Sequence, residues 1–328
     1  MGDHAYAHVP VMAGRVTALL APALSAPTPS GRPPVLVDAT LGRAGHARAL
    51  LDACPGLLLI GIDADEAAIE HGRALAREYP GQVTLAHAFY DQLAAVVADA
   101  GHRRVQGVLF DLGVSSPQLD DTGRGFSYSQ DAPLDMRMDR SADKTAARVV
   151  NEYPVPELAR VLSEYGEERF ARRIAEAVAR ERAREPVTTT LRLSAIVKDA
   201  IPAAARRTGG NPAKRTFQAL RIEVNDELAR LRRALPVALD LLSPGGRFAA
   251  LAYHSLEDRL VKRELVARSA DTAPPGLPVR ATDVLAGAGP RFRLLTRGAE
   301  RPDSEEVAAN PRAASARLRA AERIREAA

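Results

Sequence analysis

Short apolar runs alternate with amphipathic stretches over the first third of the chain. The runs are rich in Val, Leu and Ile and are bounded by turn residues, which is typical of strands buried inside a sheet. Strands that alternate with helices at this spacing predict βαβ units, and therefore an α/β fold with a mostly parallel sheet. The predicted strands are Val35–Asp38, Leu57–Asp63, Val83–His87 and Val105–Asp111, and the predicted helices are His46–Ala53, Glu66–Tyr79 and a segment ending at Asp99.

The alternation stops in the middle of the chain. Residues 116–213 contain no comparable apolar run and instead carry helical patterns at Val155–Glu185 and Leu191–Ala200. We therefore predict a mostly helical inserted domain that takes part in substrate recognition. It separates two parts of the sheet domain, residues 1–115 and 214–328.

The sheet pattern resumes with an apolar stripe whose members are three or four positions apart over Lys214–Leu242. This spacing predicts one long amphipathic helix, which Pro236 should kink or end early because proline has no amide proton. A turn at Ser243–Gly246 and a fifth strand, Arg247–Tyr253, follow the helix. The segment Arg312–Arg325 fits a helix and a strand equally well.

The composition is that of a globular protein, with 46% hydrophobic and 26% charged residues among 328. The net charge of +4 allows a polyanionic partner, but an arginine-rich composition explains it better. The single cysteine, Cys54, excludes an intrachain disulfide and a cysteine-cluster metal site, so we predict no metal and a reducing compartment, the cytoplasm. No signal segment opens the chain, and no apolar run approaches the roughly 20 residues of a membrane-spanning helix.

Acidic residues end the first two predicted strands. Asp38 begins the segment Asp38–His46, a glycine-containing turn that leads into a helix. This segment lacks the G-x-G-x-x-G spacing of a pyrophosphate site, and it fits a nucleoside-binding turn or a plain turn equally well. Asp63 is placed to accept the ribose hydroxyls of a nucleotide, and Asp65 to cap the next helix. Phe89 could lie beside an adenine, although core packing is the commoner role of a lone Phe. An adenosine ligand without pyrophosphate is best matched by S-adenosylmethionine, whose sulfonium suits acidic strand ends.

The fourth predicted strand ends in Asp111 and continues into a turn that carries Ser115, Ser116 and Gln118. The carboxyl edge of a parallel sheet is where such folds bind ligands. The exocyclic amine of a nucleobase is a poor nucleophile, so an enzyme that methylates it must hold its N–H groups with acceptors and direct its nitrogen. We therefore predict that Asp111, Ser115 and Ser116 position such an amine for catalysis.

Aromatic and charged residues follow this turn. Phe126 and Tyr128 could stack on an extruded base, but packing of the insertion is the favoured interpretation. Asp135 and Arg137 predict either a buried network beside the cofactor or a surface ion pair.

Two further segments carry polar side chains whose role the sequence leaves open. The arginines of the insertion, Arg172 and Arg173 among them, could hold RNA phosphates, but interleaved glutamates favour surface ion pairs. The segment Tyr253–Arg259 leaves the fifth strand at the same sheet edge as Asp111. No G-x-S-x-G motif surrounds its serine, so we exclude a serine hydrolase and predict a pocket edge or a helix cap at Ser255.

Together these motifs resemble the bacterial family of 16S ribosomal RNA cytosine-N4 methyltransferases. The resemblance extends in order over nearly the whole chain and is most specific at Asp111–Asp121, Pro133–Asp139 and His254–Arg259. The other matching stretches are His8–Met12, Asp38–His46, Gly61–Asp65, Arg124–Ser127, Tyr165–Phe170, Arg215–Asn225, Leu242–Gly246 and Asn310–Arg312.

The resemblance implies a class I methyltransferase fold with an inserted helical domain, S-adenosylmethionine as methyl donor and a cytidine of the ribosomal decoding centre as acceptor. This chain departs from the family pattern where Ala39, Ala44 and Ala132 replace usual glycines, so we expect slightly altered backbone there. Carried over by position, the cofactor contacts are Ala44, Gly45, His46, Asp63, Phe89, Asp111 and Gln118.

Two other classes of function are weighed against a methyltransferase. An oxidoreductase with a nicotinamide cofactor needs the diphosphate fingerprint that the chain lacks. A non-catalytic RNA-binding or ribosome-assembly factor would not need the acids at Asp63 and Asp111. The expected partner is therefore 16S rRNA or the small ribosomal subunit, with no membrane, and the sequence leaves a homodimer open.

Overall fold

The structure, a computed structural model that describes residues 10–28, 31–114, 118, 121–206, 211–270 and 290–326, contains a seven-stranded sheet. The order of its described strands is β3-β2-β1-β4-β5-β7-β6. Strands β1 to β5 are parallel, and β7 runs antiparallel between β5 and β6. This confirms the predicted α/β fold with a mostly parallel sheet. The strands are β1 Val35–Asp38, β2 Leu58–Asp63, β3 Val83–His87, β4 Val105–Asp111, β5 Leu242–Ala252, β6 Phe292–Leu294 and β7 Arg317–Arg323.

Apolar residues alternate between the two faces of the sheet, so helices cover both. Leu36 of β1 packs with the helices that come before and after that strand, whereas its neighbour Val37 packs with helices of the opposite face. The helices are α1 Ala13–Leu24, α2 Gly45–Ala53, α3 Glu66–Glu78, α4 Leu93–Asp99, α5 Ala146–Glu152, α6 Val155–Gly166, α7 Ala171–Arg182, α8 Thr190–Ala200, α9 Ala203–Arg206, α10 Lys214–Asn225, α11 Glu227–Leu241, α12 Ser255–Ser269 and α13 Ser304–Ala309.

The chain divides into two units. The first lies within residues 1–113 and 230–328 and contains the sheet; the second, Val114–Ala229, is helical. The second unit therefore extends beyond the predicted boundary at residue 213. The reason is that α10 contributes Phe217, Leu220 and Val224 to the apolar core of this unit.

The predicted single helix over Lys214–Leu242 is wrong, because two helices meet at Asp226. Asp226 has a left-handed backbone with φ of 53°, while Pro236 lies inside α11 without ending it. The side chain of the preceding residue, Asn225, accepts the backbone N–H of Met138 at 2.7 Å and donates to the carbonyl of Met136 at 2.8 Å. These two hydrogen bonds stabilise the backbone at the break between the two helices.

Three other segments also differ from the sequence prediction or go beyond it. The helical pattern over Val155–Glu185 is interrupted at Glu167, whose φ is 48°. The residues of the predicted turn, Ser243–Gly246, lie within β5, where the pairing with β4 jumps from Leu242 to Arg247. The ambiguous C-terminal segment contains the strand β7, which shields an edge of β5.

Candidate active site

Three acidic residues lie at the carboxyl ends of neighbouring parallel strands. Asp38, the last residue of β1, pairs with Gly61 of β2 on one side and with Leu109 of β4 on the other. Asp63 and Asp111 therefore each extend two residues beyond Asp38, on opposite sides of it. The two predicted ligand-binding acids flank the turn that joins β1 to α2.

Hydrogen bonds fix this turn to both neighbouring strands. Asp63 accepts the backbone N–H of Gly42 at Oδ2 (2.8 Å) and that of Asp65 at Oδ1 (2.9 Å). On the other side, the hydroxyl of Thr40 accepts the backbone N–H of Asp111 at 2.5 Å. A carboxylate has about four lone-pair sites, more than these bonds use, so Asp63 remains able to accept a ribose hydroxyl. The side chain of Asp65 accepts the N–H of Ala67 at 3.1 Å, which confirms it as the cap of α3.

One of the three alanines that replace family glycines has the backbone of a glycine. Ala44 immediately precedes α2 and has φ of 59°, a left-handed conformation that costs an alanine about 1–2 kcal/mol. Ala39 and Ala132 do not have positive φ, and the altered backbone expected at those two positions stays a prediction. Strain at the start of α2 is thus confined to Ala44.

Gly45 follows directly and lies against the N-terminal segment. A Cβ atom at Gly45 would stand 2.5 Å from Cγ of Pro10, so the missing side chain makes room for the proline ring. The backbone N–H of Met12 is held by Oε1 of Glu306 at 2.5 Å. Sequence reasoning missed the contact between Gly45 and Pro10. This contact gives Gly45 a packing role in addition to its predicted cofactor role.

A buried cluster of titratable groups lies beneath the turn. Asp38 is 1% exposed and His46 is 5% exposed. Burial raises the pKa of Asp38 to about 7, although the neighbouring His46 opposes the shift. Burial lowers the pKa of His46, but the carboxylates of Asp111 and Asp38 outweigh it, so the net pKa is raised.

His46 is the residue of this cluster with unsatisfied polar atoms. Its Nε2 lies 3.6 Å from Oδ2 of Asp111, which is an ion-pair distance and too long for a hydrogen bond. Within the described residues, neither ring nitrogen has a hydrogen-bond partner. Leaving a buried polar atom without a partner costs about 1–3 kcal/mol, so this site favours a ligand that supplies polar groups. That observation fits a polar cofactor bound at the start of α2.

The raised pKa of Asp38 predicts a stability that falls as the pH rises. The unfolded chain releases this proton near pH 4, whereas the folded protein releases it at about pH 7. Between these values the folded state holds more protons, so its free energy of unfolding decreases with pH. Asp38→Asn keeps the shape and should remove about 2–4 kcal/mol of that decrease. Denaturant unfolding at pH 5 and pH 8 measures it.

The exposed Asp99 provides the control for this prediction. Asp99→Asn should keep the full decrease between pH 5 and pH 8. Asp63, whose pKa desolvation raises to about 6, adds a smaller decrease of the same sign that both variants retain. An Asp38→Asn protein with the unaltered pH slope would contradict the assignment of the shift to Asp38.

Tyr253 brings a third strand to the same edge. It lies two residues beyond Leu251, which pairs with Asp111, and its hydroxyl donates to Oδ1 of Asp111 at 2.8 Å. The helix α12 then begins, and the predicted cap at Ser255 is wrong, because His254 caps it by accepting the N–H of Glu257. Glu257 completes the box by accepting the backbone N–H of His254.

Phe89, the predicted neighbour of an adenine, has a cation on its ring. The guanidinium carbon of Arg230 lies 3.6 Å from the ring centroid. Arg230 is itself held by Asp91 at 3.0 Å. No sequence signal points to this pair, because the two residues are far apart along the chain. The stack fixes the orientation of the ring.

The remaining predicted residues fall outside the first unit or outside the described part. Ser115 and Ser116 lie outside the described residues, so their catalytic roles stay predictions. Gln118, in the second unit, is buried with 6% exposure. Phe126 is buried in the core of that unit, and Tyr128 packs against it and meets the Phe217 ring edge-on at 5.8 Å, which supports the packing interpretation.

Charged residues of the second unit form the ion pairs that the sequence suggested. Arg137 and Asp135 approach to 2.7 Å with largely buried side chains. Arg172 pairs with Glu176 at 3.0 Å on α7, and most of its side chain is exposed. The first pair is structural, whereas the second leaves a guanidinium accessible to solvent.

In the part of the chain that the structure describes, no group of His, Cys, Asp or Glu side chains has the arrangement to hold a metal ion. Over the same ranges, no helix combines the length and the apolar character needed to cross a bilayer.

Comparison with known proteins relates the chain to methyltransferases. A sequence profile described as the MraW methylase family matches residues 5–324. A ribosomal RNA small subunit methyltransferase H from Thermobifida fusca is 58% identical over 325 residues, covering 99% of this chain and 96% of that protein. The protein of the same name from Frankia alni is 61% identical over 317 residues, covering 96% and 95%. The crystal structure of an rRNA methylase from Streptococcus thermophilus covers 95% of both chains with 12% identity and a TM-score of 0.42.

Proposed function

Because the chain belongs to the MraW methylase family, and is thus an S-adenosylmethionine-dependent methyltransferase with a class I fold, we propose that it methylates the N4 amine of a cytidine in 16S ribosomal RNA. The relatives named as small-subunit rRNA methyltransferases are 58% and 61% identical to it over nearly their whole length, which supports an rRNA substrate. The base specificity rests on the sequence resemblance and on the chemistry of Asp111. The work of such an enzyme on ribosomal RNA is cytoplasmic.

The observation that carries the proposal is the placement of Asp63 and Asp111 on either side of the turn after Asp38. A bound nucleoside needs an acceptor for its ribose hydroxyls, and the substrate amine needs a second acceptor for its N–H groups close by. The sheet register places Asp63 and Asp111 at the ends of the two strands that flank β1, which supports both proposed roles. The hydrogen bond that Gly42 donates to Asp63 and the one that Thr40 accepts from the backbone of Asp111 hold the two strand ends in place before any ligand arrives.

S-adenosylmethionine, when bound, supplies a methyl group on a positively charged sulfur, which makes that carbon an electrophile. Asp63 would accept the ribose hydroxyls with the lone pairs that its backbone contacts leave free. His46 would bind a polar group of the cofactor through its unpartnered ring nitrogens. Ala44, Gly45, Phe89, Asp111 and Gln118 are the other proposed contacts. The acids at this edge favour a cationic ligand electrostatically.

Asp111 is the proposed acceptor for the substrate amine. The lone pair of an exocyclic amine is delocalised into the base, so the enzyme must hold its N–H groups in a fixed direction. The Asp111 side chain is 28% exposed and thus accessible at the strand end. Ser115 and Ser116 are proposed to add acceptors beside it. This arrangement orients the nitrogen without a covalent intermediate on the protein.

The proposed RNA contact of the second unit predicts an effect on salt dependence. Replacing Arg172 and Arg173 together by alanine should weaken binding to 16S rRNA. The loss of two phosphate contacts should lower the slope of log affinity against log salt by about 1.4 on single-stranded RNA. Filter binding at several salt concentrations measures this slope.

Arg48 and Arg73 form the matched control, because both are exposed and both pair with glutamates in the first unit. Their double alanine variant should keep the slope. If the Arg172 and Arg173 variant also keeps it, these two arginines serve only in surface ion pairs.

The substrate itself is tested by mass spectrometry of 16S rRNA. Cells that lack this protein should lose one methyl group from a single cytidine, and the purified protein with S-adenosylmethionine should restore it. Small subunits and naked 16S rRNA are supplied in parallel as acceptors. Restoration on a base other than cytidine, or at an oxygen, would disprove the proposed specificity. An unchanged methylation pattern in those cells would disprove the rRNA substrate.

A further inference from the structure

The Tyr253–Arg259 segment comprises the link from β5 to α12 and the start of that helix, and the proposed reaction uses none of its side chains. Its first residue nevertheless contacts the proposed amine acceptor. The hydroxyl of Tyr253 donates to Oδ1 of Asp111 at 2.8 Å. This contact deserves a functional test because it joins two strand ends at the reaction edge.

The position of Tyr253 is fixed independently of Asp111. Glu257 is 3% exposed, and its Oε2 accepts the backbone N–H groups of Tyr253 (2.9 Å) and His254 (3.3 Å). The ring lies against Gly113, where a Cβ atom would stand 3.2 Å from Cδ2 of the tyrosine. Gly113 also has φ of 101°, which disfavours any larger residue. The backbone contact with Glu257 and the ring contact with Gly113 thus fix the position of the Tyr253 hydroxyl.

Asp111 is consequently held at its side chain and at its backbone. Its Oδ1 is taken by the hydroxyl of Tyr253, and its backbone N–H is bound to Thr40 at 2.5 Å. Burial, together with the Asp111 carboxylate, raises the pKa of Tyr253 well above its usual value, so the hydroxyl keeps its proton and remains a donor. The other oxygen, Oδ2, faces His46 at 3.6 Å without a hydrogen bond.

We propose that Tyr253 is a positioning residue, whose hydroxyl fixes the carboxylate of Asp111 so that Oδ2 is the oxygen presented to the methyl-accepting amine. The inference rests on the proposed role of Asp111 and deepens it. Tyr253 acts through Asp111 and does not touch the substrate. Glu257 holds Tyr253 in place, so the buried carboxylate and the tyrosine form one support for the acceptor.

Tyr253→Phe tests this, since it removes the hydroxyl and keeps the ring against Gly113. Single-turnover transfer should slow about tenfold, the loss expected for a hydrogen bond to a charged group. The affinity for S-adenosylhomocysteine, measured by calorimetry, should stay within twofold, and the melting temperature should stay within a few degrees. A parallel loss of affinity and melting temperature would show a merely structural role and overturn the inference, as would an unaltered transfer rate.

The matched control is Tyr79→Phe, because Tyr79 also donates to a carboxylate, that of Asp52, outside the site of the first unit. Its transfer rate should be unaltered. A slowed Tyr79→Phe protein would mean that the loss of any such hydroxyl slows the enzyme, and the inference would fall.

A second comparison places Tyr253→Phe in the Asp111→Asn background, where the amide offers no acceptor at the Oδ2 position. If Tyr253 acts through Asp111, the second substitution should change the residual rate less than twofold. A full additional tenfold loss would overturn the inference while leaving Asp111 in its role. An Asp111→Asn protein with the normal rate would instead remove Asp111 from the reaction, and the role of Tyr253 would fall with it.

Discussion

Asp111→Ala is expected to lower the rate of methyl transfer at least about hundredfold, as for the loss of one preorganised group that contacts the reacting atoms. The substitution removes both carboxylate oxygens at the end of β4. The bond from the backbone N–H of residue 111 to Thr40 does not need the side chain, so the strand end should keep its place. Transfer to small subunits or 16S rRNA is measured in single-turnover reactions, and circular dichroism checks that the variant is folded.

Asp52→Ala is a suitable control for this experiment. Asp52 is an exposed acid on α2 and contacts Tyr79, not the edge that carries Asp111. The control should transfer methyl groups at the normal rate. A folded Asp111→Ala protein that turns over normally would refute the amine-positioning role and would redirect the search to Ser115 and Ser116.

Asp63→Ala is expected to weaken the binding of S-adenosylmethionine at least tenfold. Hydrogen bonds to a charged acceptor contribute on the order of 1.5–3 kcal/mol, and the ribose would lose such bonds. The variant also loses the two contacts by which Asp63 holds Gly42 and the backbone of Asp65, so the turn before α2 loosens. Both effects act in the same direction, and calorimetry measures their sum.

A variant of the neighbouring acid Asp65 distinguishes an effect on cofactor binding from an effect on local stability. Asp65→Ala removes the cap of α3 and should lower the free energy of unfolding by about 1 kcal/mol. Because its side chain caps α3 by accepting the N–H of Ala67, its affinity for the cofactor should be preserved. Unchanged affinity in Asp63→Ala would exclude Asp63 from the cofactor site.

The sheet and its acidic edge could be predicted because their signals are local. Asp38, Asp63 and Asp111 each end a short apolar run, and the alternation of these runs with helices indicates parallel strands. Parallel strands place their carboxyl ends along one edge, so the gathering of these acids followed from the order of elements. The same logic extends to Tyr253, which ends the run of β5.

The features that the sequence did not predict depend on contacts between distant residues. The helix break at Asp226 is stabilised where Asn225 reaches Met136 and Met138, which lie almost ninety positions away. Such a long-range contact produces no pattern in the sequence. Proline is a known helix breaker, so the sequence predicted the kink or end of the helix at Pro236. A proline inside α11 is accommodated, and the break occurs where side-chain bonds hold the backbone.

The same limitation applied within the site. Pro10 meets Gly45, and Arg230 stacks on Phe89, across separations that no motif spans. The cap of α12 was misassigned by one residue because serine is the commoner cap, while the reciprocal bond to Glu257 selects His254. Sequence reasoning identified the charged ends of the strands and missed the groups that hold them.

The strands of the sheet come from chain segments before and after the helical unit, and this affects the order in which the protein folds during translation. The helical unit is encoded by one uninterrupted stretch and has its own apolar core, so it can pack while the strand β4 still awaits its neighbour. That neighbour, β5, emerges from the ribosome later, and its other edge stays open until Arg317–Arg323 arrives. An open edge invites pairing with foreign chains. A nascent chain stalled before this last segment would therefore be prone to aggregate.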